Sequence, residues 1–156
     1  MGICDGSTGA SLKVEYSDDP TLAWNSGSHT WNDIRGVTGM LDVTGGDKSA
    51  EGKQTFNGII AGLSEAGLLN VVLNVVFQNS ASSFLEFLTD TYDGTDSTCF
   101  WLRWSYNDGA SGALRRTAKI ALLTNPYTGG EAGSGAPVSK DLSFVVDDGV
   151  YRDTVA

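Results

Sequence analysis

At 156 residues and 40% hydrophobic content, the chain is long and apolar enough to build one domain around its own core, with no need of a metal or a disulfide framework. Nineteen Asp and Glu against ten Lys and Arg leave a formal charge of −9, and the only adjacent basic pair is Arg115–Arg116, which argues against binding nucleic acid through its phosphates. The longest apolar run, Leu68 to Phe77, is broken by Asn70 and Asn74 and is too short to cross a membrane, and the start Met1-Gly2-Ile3-Cys4 has neither the basic nor the apolar region of a leader.

Twenty glycines and only three prolines predict many turns between short strands. Ser11 to Tyr16 alternates, with Leu12, Val14 and Tyr16 on one face and Lys13 and Glu15 on the other, and reads as a half-buried strand leading into the turn Ser17-Asp18-Asp19-Pro20. Ile34 to Val43 is a second strand, with Val37, Leu41 and Val43 on one face and Arg35 at its end. The polar stretch Thr44 to Lys53 has no apolar period and is expected to be an exposed loop running into Phe56-Asn57-Gly58. Leu68 to Gln78 is the clearest strand: Leu69, Val71, Leu73, Val75 and Phe77 belong to a core, and Asn70, Val72, Asn74 and Val76 face something else. Between Asn79 and Asp90 the period becomes helical through Phe84, Leu85, Phe87 and Leu88, with Asn79 or Ser80 as the cap and Tyr92-Asp93-Gly94 as the stop.

Three more strands follow, Cys99 to Tyr106, Leu114 to Thr124 and Val138 to Val146, with Asn107-Asp108-Gly109 and Asp147-Asp148-Gly149 as hairpin turns and a Gly-rich loop from Gly129 to Gly135. The expected fold is mainly β: two packed antiparallel sheets, a β-sandwich or open barrel, with one short α-helix. It spans residues 1–156 as a single domain with a flexible start at 1–10 and a flexible tail at 150–156.

Catalytic chemistry finds little support. Nucleophilic catalysis needs a base beside the nucleophile, and the one histidine, His29, sits in the polar stretch Asn25-Ser26-Gly27-Ser28, where it reads as a solvated loop residue. Gly46-Asp47-Lys48-Ser49 lacks the Gly-Lys step of a phosphate-binding loop, and Asp90, Asp93 and Asp96 lack the alternation of a calcium loop. The two cysteines, Cys4 and Cys99, read as free thiols of a reducing cytoplasm. No cofactor and no metal is called for. Trp104 lies on the core face of its strand; Trp24, Trp31 and Trp101 do not, and exposed aromatics of that kind serve a sugar platform or a protein interface. A carbohydrate-binding β-sandwich is therefore the alternative reading, and an acidic hydrolase a distant third.

One order of features stands out. Asp42-Val43-Thr44 closes a strand, a polar loop follows, then Phe56-Asn57-Gly58 and Gly62-Leu63-Ser64-Glu65-Ala66-Gly67, the alternating strand to Gln78, one helix, Phe100-Trp101-Leu102-Arg103-Trp104, and a late hairpin through Val138 to Gly149. This order resembles the major tail tube protein of long-tailed, siphovirus-like bacteriophages. The resemblance implies a structural, non-enzymatic subunit that forms hexameric rings stacked into a hollow tube, through which viral DNA passes without specific binding. It implies a place in the virion tail, assembly in the host bacterial cytoplasm, and tape measure, tail terminator and distal tail proteins as partners, with no membrane contact. It also implies that the loop from Thr44 to Asn57 reaches the next ring, with Asp47, Lys48, Glu51 and Lys53 supplying polar contacts and Phe56 an apolar anchor. Asn70, Asn74, Ser139, Asp141 and Ser143 are the residues expected to face the lumen or an interface.

Overall fold

The computed structural model describes residues 12–34, 37–48, 50–55, 57–63, 67–94, 98–130, 132–133 and 135–156. Its strands are β1 (Lys13–Ser17), β2 (Asn32–Asp33), β3 (Val37–Gly45), β4 (Ala50–Thr55), β5 (Gly58–Leu63), β6 (Leu69–Val76), β7 (Cys99–Ser105), β8 (Leu114–Leu122) and β9 (Ser139–Thr154), with one helix, α1 (Phe84–Tyr92), between β6 and β7. The mainly β architecture with a single helix is as expected. The two packed sheets are not: seven strands form one antiparallel sheet in the order β2-β1-β7-β8-β9-β6-β3, and β4 and β5 form a separate two-stranded hairpin.

Strand alternation sends one face of the large sheet into the core. Val71, Leu73 and Val75 of β6 are buried there, with Leu142, Phe144 and Val146 of β9, Ala118 and Ile120 of β8, Phe100, Leu102 and Trp104 of β7, and Val14 and Tyr16 of β1. Helix α1 covers this face with Phe84, Leu85 and Leu88. An aromatic chain fixes its seat: the Tyr16 ring lies 5.0 Å from Phe84 and 4.8 Å from Phe87, Phe87 meets Phe100 edge-on at 5.2 Å, and Phe100 meets Phe144 edge-on at 5.8 Å. Such tilted and edge-on contacts stabilise beyond the area they bury.

Several boundaries differ from expectation for identifiable reasons. The helix is capped by Ser83, whose Oγ accepts from Glu86 N at 3.3 Å, while Ser80 is engaged in the preceding turn through its hydroxyl and carbonyl. Ile34 does not open β3; its N–H donates to Val14 O at 2.9 Å, so it belongs beside β1. Arg35 lies outside the described residues. The expected loop through Lys53 contains β4, a strand paired along its length with β5 although its sequence shows no apolar period. Asp147-Asp148-Gly149 is no hairpin turn. It lies inside β9, where Ala118 pairs with Val150 and Lys119 with Asp147, so the positive φ of Asp148 (72°) and Gly149 (131°) builds a β-bulge. Residues 150–154, expected as a flexible tail, continue β9 beyond that bulge, paired with β8. Residues 1–10 lie outside the described residues.

Phe100 is fully buried and touches rings from β1, α1 and β9. Phe100→Ala is expected to lower unfolding free energy by about 3–5 kcal/mol. Urea titration checks this, and a loss below about 1 kcal/mol would show that the helix is not seated through this ring.

Candidate assembly surfaces

Opposite the core, β3, β6 and β9 present a second face. Asn74 pairs with Asp141 across β6 and β9, and its Nδ2 donates to Asp141 Oδ1 at 2.7 Å. On the same face Val72 pairs with Ser143, Val76 with Ser139, and Asn70 with Val145, while Asp42 and Thr44 extend it onto β3 beside Val72 and Asn70. The five strand residues singled out from the sequence therefore share one surface. It mixes small polar groups, carboxylates and valines, and Ser139 and Asp141 are exposed.

This surface ends at an open edge. β3 is an outermost strand of nine residues with a partner on one side only among the described residues, whereas the other outermost strand, β2, is two residues long. Proteins normally blunt such edges with short strands, charge or bulges; β2 is short, while β3 is long and has Asp42 and a register irregularity between Val37 and Leu41. After β3 the chain enters the β4–β5 hairpin, whose two strands pair with each other. Gly45 sits at its root with φ of 76°, and a Cβ there would collide with the Leu68 carbonyl oxygen where the chain returns. Asp47 and Lys48 are exposed between root and β4, Glu51 and Lys53 lie on β4, and Phe56 lies outside the described residues.

At the far end of the sheet, the surface opposite the core is covered by the segment from Asp18 to Trp31. Trp101 is only 5% exposed and donates from Nε1 to Leu22 O at 3.1 Å. Trp24 stacks on Tyr151 at 5.1 Å with the rings 8° from parallel. The Arg103 guanidinium lies 4.0 Å over the Trp31 ring and donates to Glu15 Oε1 from Nη2 at 3.0 Å. His29 is not a solvated loop residue. Its Nδ1 is 2.7 Å from Ser17 Oγ and its Nε2 is 2.7 Å from Ala23 O; a carbonyl can only accept, so Nε2–H donates to it. Ser17 is 1% exposed, so this Ser–His contact has no room for a substrate carbonyl and serves to fasten the segment.

No protein-family model and no curated protein matches the chain. Solved structures do. The chain is similar to a subunit of an extracellular contractile injection system, the PVC sheath-tube complex in its extended state, at 12% identity and a TM-score of 0.65, covering 98% of this chain and 95% of that one. It is similar to the SPP1 tail tube at 12% identity and a TM-score of 0.68, covering 96% and 80%. It is also similar to the tube-terminating cap of the anti-feeding prophage at 8% identity and a TM-score of 0.65, covering 99% and 95%. The chain has the tail-tube fold.

The tryptophans at this end of the sheet are engaged by other side chains. Trp101 is buried, Trp24 has one face taken by Tyr151, and Trp31 is occupied by Arg103 and His29. They fasten a cover onto the sheet. The ion pairs beneath and beside this cover were not legible in the sequence, because Arg103 and Glu15, or Arg115 and Asp153, meet only through strand register. Arg115 donates from Nε at 2.9 Å and Nη2 at 2.6 Å to the two carboxylate oxygens of Asp153, and these bonds hold that carboxyl below its usual range.

A carboxyl with a depressed folded pKa adds stability above its unfolded value of about 3.9 and loses it as pH falls through the folded value. Arg115→Met is therefore expected to melt below the parent at pH 7, by about 1 kcal/mol or less because the pair is partly solvated, with the gap narrowing below about pH 4. Melts across pH check this; a gap of constant size down to about pH 2 would contradict it.

Proposed function

We propose that the chain is the repeating subunit of the tail tube of a long-tailed bacteriophage, with no catalytic role. Copies close into hexameric rings, the rings stack into a hollow tube in the virion tail, and viral DNA passes through it. The observation that carries this reading is the near-complete superposition on subunits of tubes and tube caps, which leaves almost none of the chain over for another task.

The residue chemistry supports it. The face bearing Asn70, Asn74, Ser139, Asp141 and Ser143 suits a water-filled lumen, because its polar groups carry hydration and its carboxylates repel phosphate. The long β3 edge suits continuation of the sheet into the next copy, and ring closure would remove every such edge. The β4–β5 hairpin is marginal alone in water, as two-stranded hairpins are, and would gain its third layer from a neighbouring ring. Asp47, Lys48, Glu51 and Lys53 then supply polar contacts and Phe56 an apolar anchor. Assembly takes place in the host cytoplasm on a tape measure protein, with a tail terminator and distal tail protein at the two ends.

Purified parent protein is expected to form hollow tubes or rings in negative stain, and a persistent monomer at high concentration would count against the tube reading. Replacing residues 47–66 by a short Gly-Ser linker should leave the melting temperature near the parent's, since the hairpin packs on itself. Stacking into tubes should be lost. Tubes of normal length from the well-folded replacement would remove the hairpin from the stacking contact.

A further inference from the structure

Register places two arginines side by side with no carboxylate between them among the described residues. Arg116 of β8 pairs directly with Arg152 of β9, on the core-side face of the sheet, in the row that continues through Trp104 to Val14. Like charges directly opposite across two strands destabilise. The usual remedy is a bridging carboxylate, and none is present among the described residues. Arg116 donates only to the Arg115 carbonyl at 3.0 Å. Asp153, the nearest acid in sequence, points to the opposite face and is bound by both oxygens to Arg115. Arg152 is exposed. In the adjoining row Leu114 is 54% exposed beside Thr154.

Two unbridged guanidiniums opposite one another beside an exposed leucine are costly in a lone subunit and favourable in an interface, where arginine is enriched and carboxylates are received bidentately. We propose that Arg116, Arg152 and Leu114 form a docking patch for a second copy of this chain, which inserts carboxylates between the two guanidiniums. This rests on the tube reading and names one of its subunit contacts. The acidic counterpart that the chain itself offers is Asp147 with Asp148, adjacent and exposed at the β9 bulge. Asp147 shares its row with Lys119 and Trp101, on the face opposite the arginines. Donor and acceptor patches on opposite faces cannot meet by a two-fold axis through one patch. They join copies head to tail, the arrangement that produces rings and filaments.

The test compares the parent with Arg152→Glu and with Arg152→Glu/Asp147→Arg, by thermal melting and by sedimentation and negative stain at low and high salt. Arg152→Glu replaces the repulsion with an attractive cross-strand pair to Arg116, so its monomer should melt at or above the parent's temperature. Its assembled fraction should nevertheless fall about tenfold or more. The double variant should regain assembly, and parent assembly should weaken as salt rises. A well-folded Arg152→Glu that assembles like the parent overturns the proposal, and a double variant that stays dispersed overturns the pairing with Asp147. A parent that never assembles sinks the tube reading itself, which the parent arm reports separately. If Arg152→Glu assembles normally but loses a gel shift of duplex DNA that the parent shows, the pair serves phosphate and the proposal is overturned.

Discussion

A strand inside a sheet has its backbone N–H and C=O groups paired on both sides, and an outermost strand has one side unpaired. In this chain that constraint falls unequally. β2 offers two residues to solvent, and β3 offers nine, next to a face of asparagines, valines and carboxylates that is neither a core nor an ordinary charged surface. The large sheet is complete as a folding unit and incomplete as a hydrogen-bonded object. A monomer with such an edge is exposed to uncontrolled strand pairing, and a closed ring is not. The β4–β5 hairpin repeats the pattern, as two strands paired with each other and with no third strand among the described residues.

What lets the sheet tolerate this is the rigidity of its other face. One helix of nine residues covers a core drawn from five strands, and it does so because Tyr16, Phe84, Phe87 and Phe100 interlock. The cover over the opposite end of the sheet is held by polar contacts instead: Trp101 to a carbonyl, His29 between a hydroxyl and a carbonyl, Arg103 between Trp31 and Glu15. Trp101 has its one donor, and His29 both ring nitrogens, engaged in these contacts, which leaves neither with a polar ring atom free to bind anything else.

The parts of this architecture that depend on local periodicity were legible in the sequence. β6 alternates as its burial does, and Phe84, Leu85 and Leu88 fall on the buried stripe of α1. The face with Asn70, Asn74 and Asp141 follows from the same alternation once β6 and β9 are neighbours. What depends on register or on backbone pairing was not. β4 carries mostly polar residues and glycine with no apolar alternation, so nothing in its pattern distinguishes it from a loop. Asp148-Gly149 encodes positive φ, which a hairpin turn and a β-bulge need alike. The contacts of Arg103 with Glu15 and of Arg116 with Arg152 join residues far apart in the chain, and only the strand order β1-β7-β8-β9 brings them together.

Edge exposure and the paired arginines point the same way: features unfavourable in a single copy become favourable once copies are arranged around an axis. The most direct measurement is amide hydrogen exchange along β3, in the dispersed subunit and in the assembled form. If the sheet continues through this edge into the next copy, the outward amides of residues 37–45 exchange rapidly in the subunit and become strongly protected on assembly, while those of β7 and β8 are slow in both. Assembled protein in which the outward β3 amides exchange as fast as in the free subunit would contradict the account.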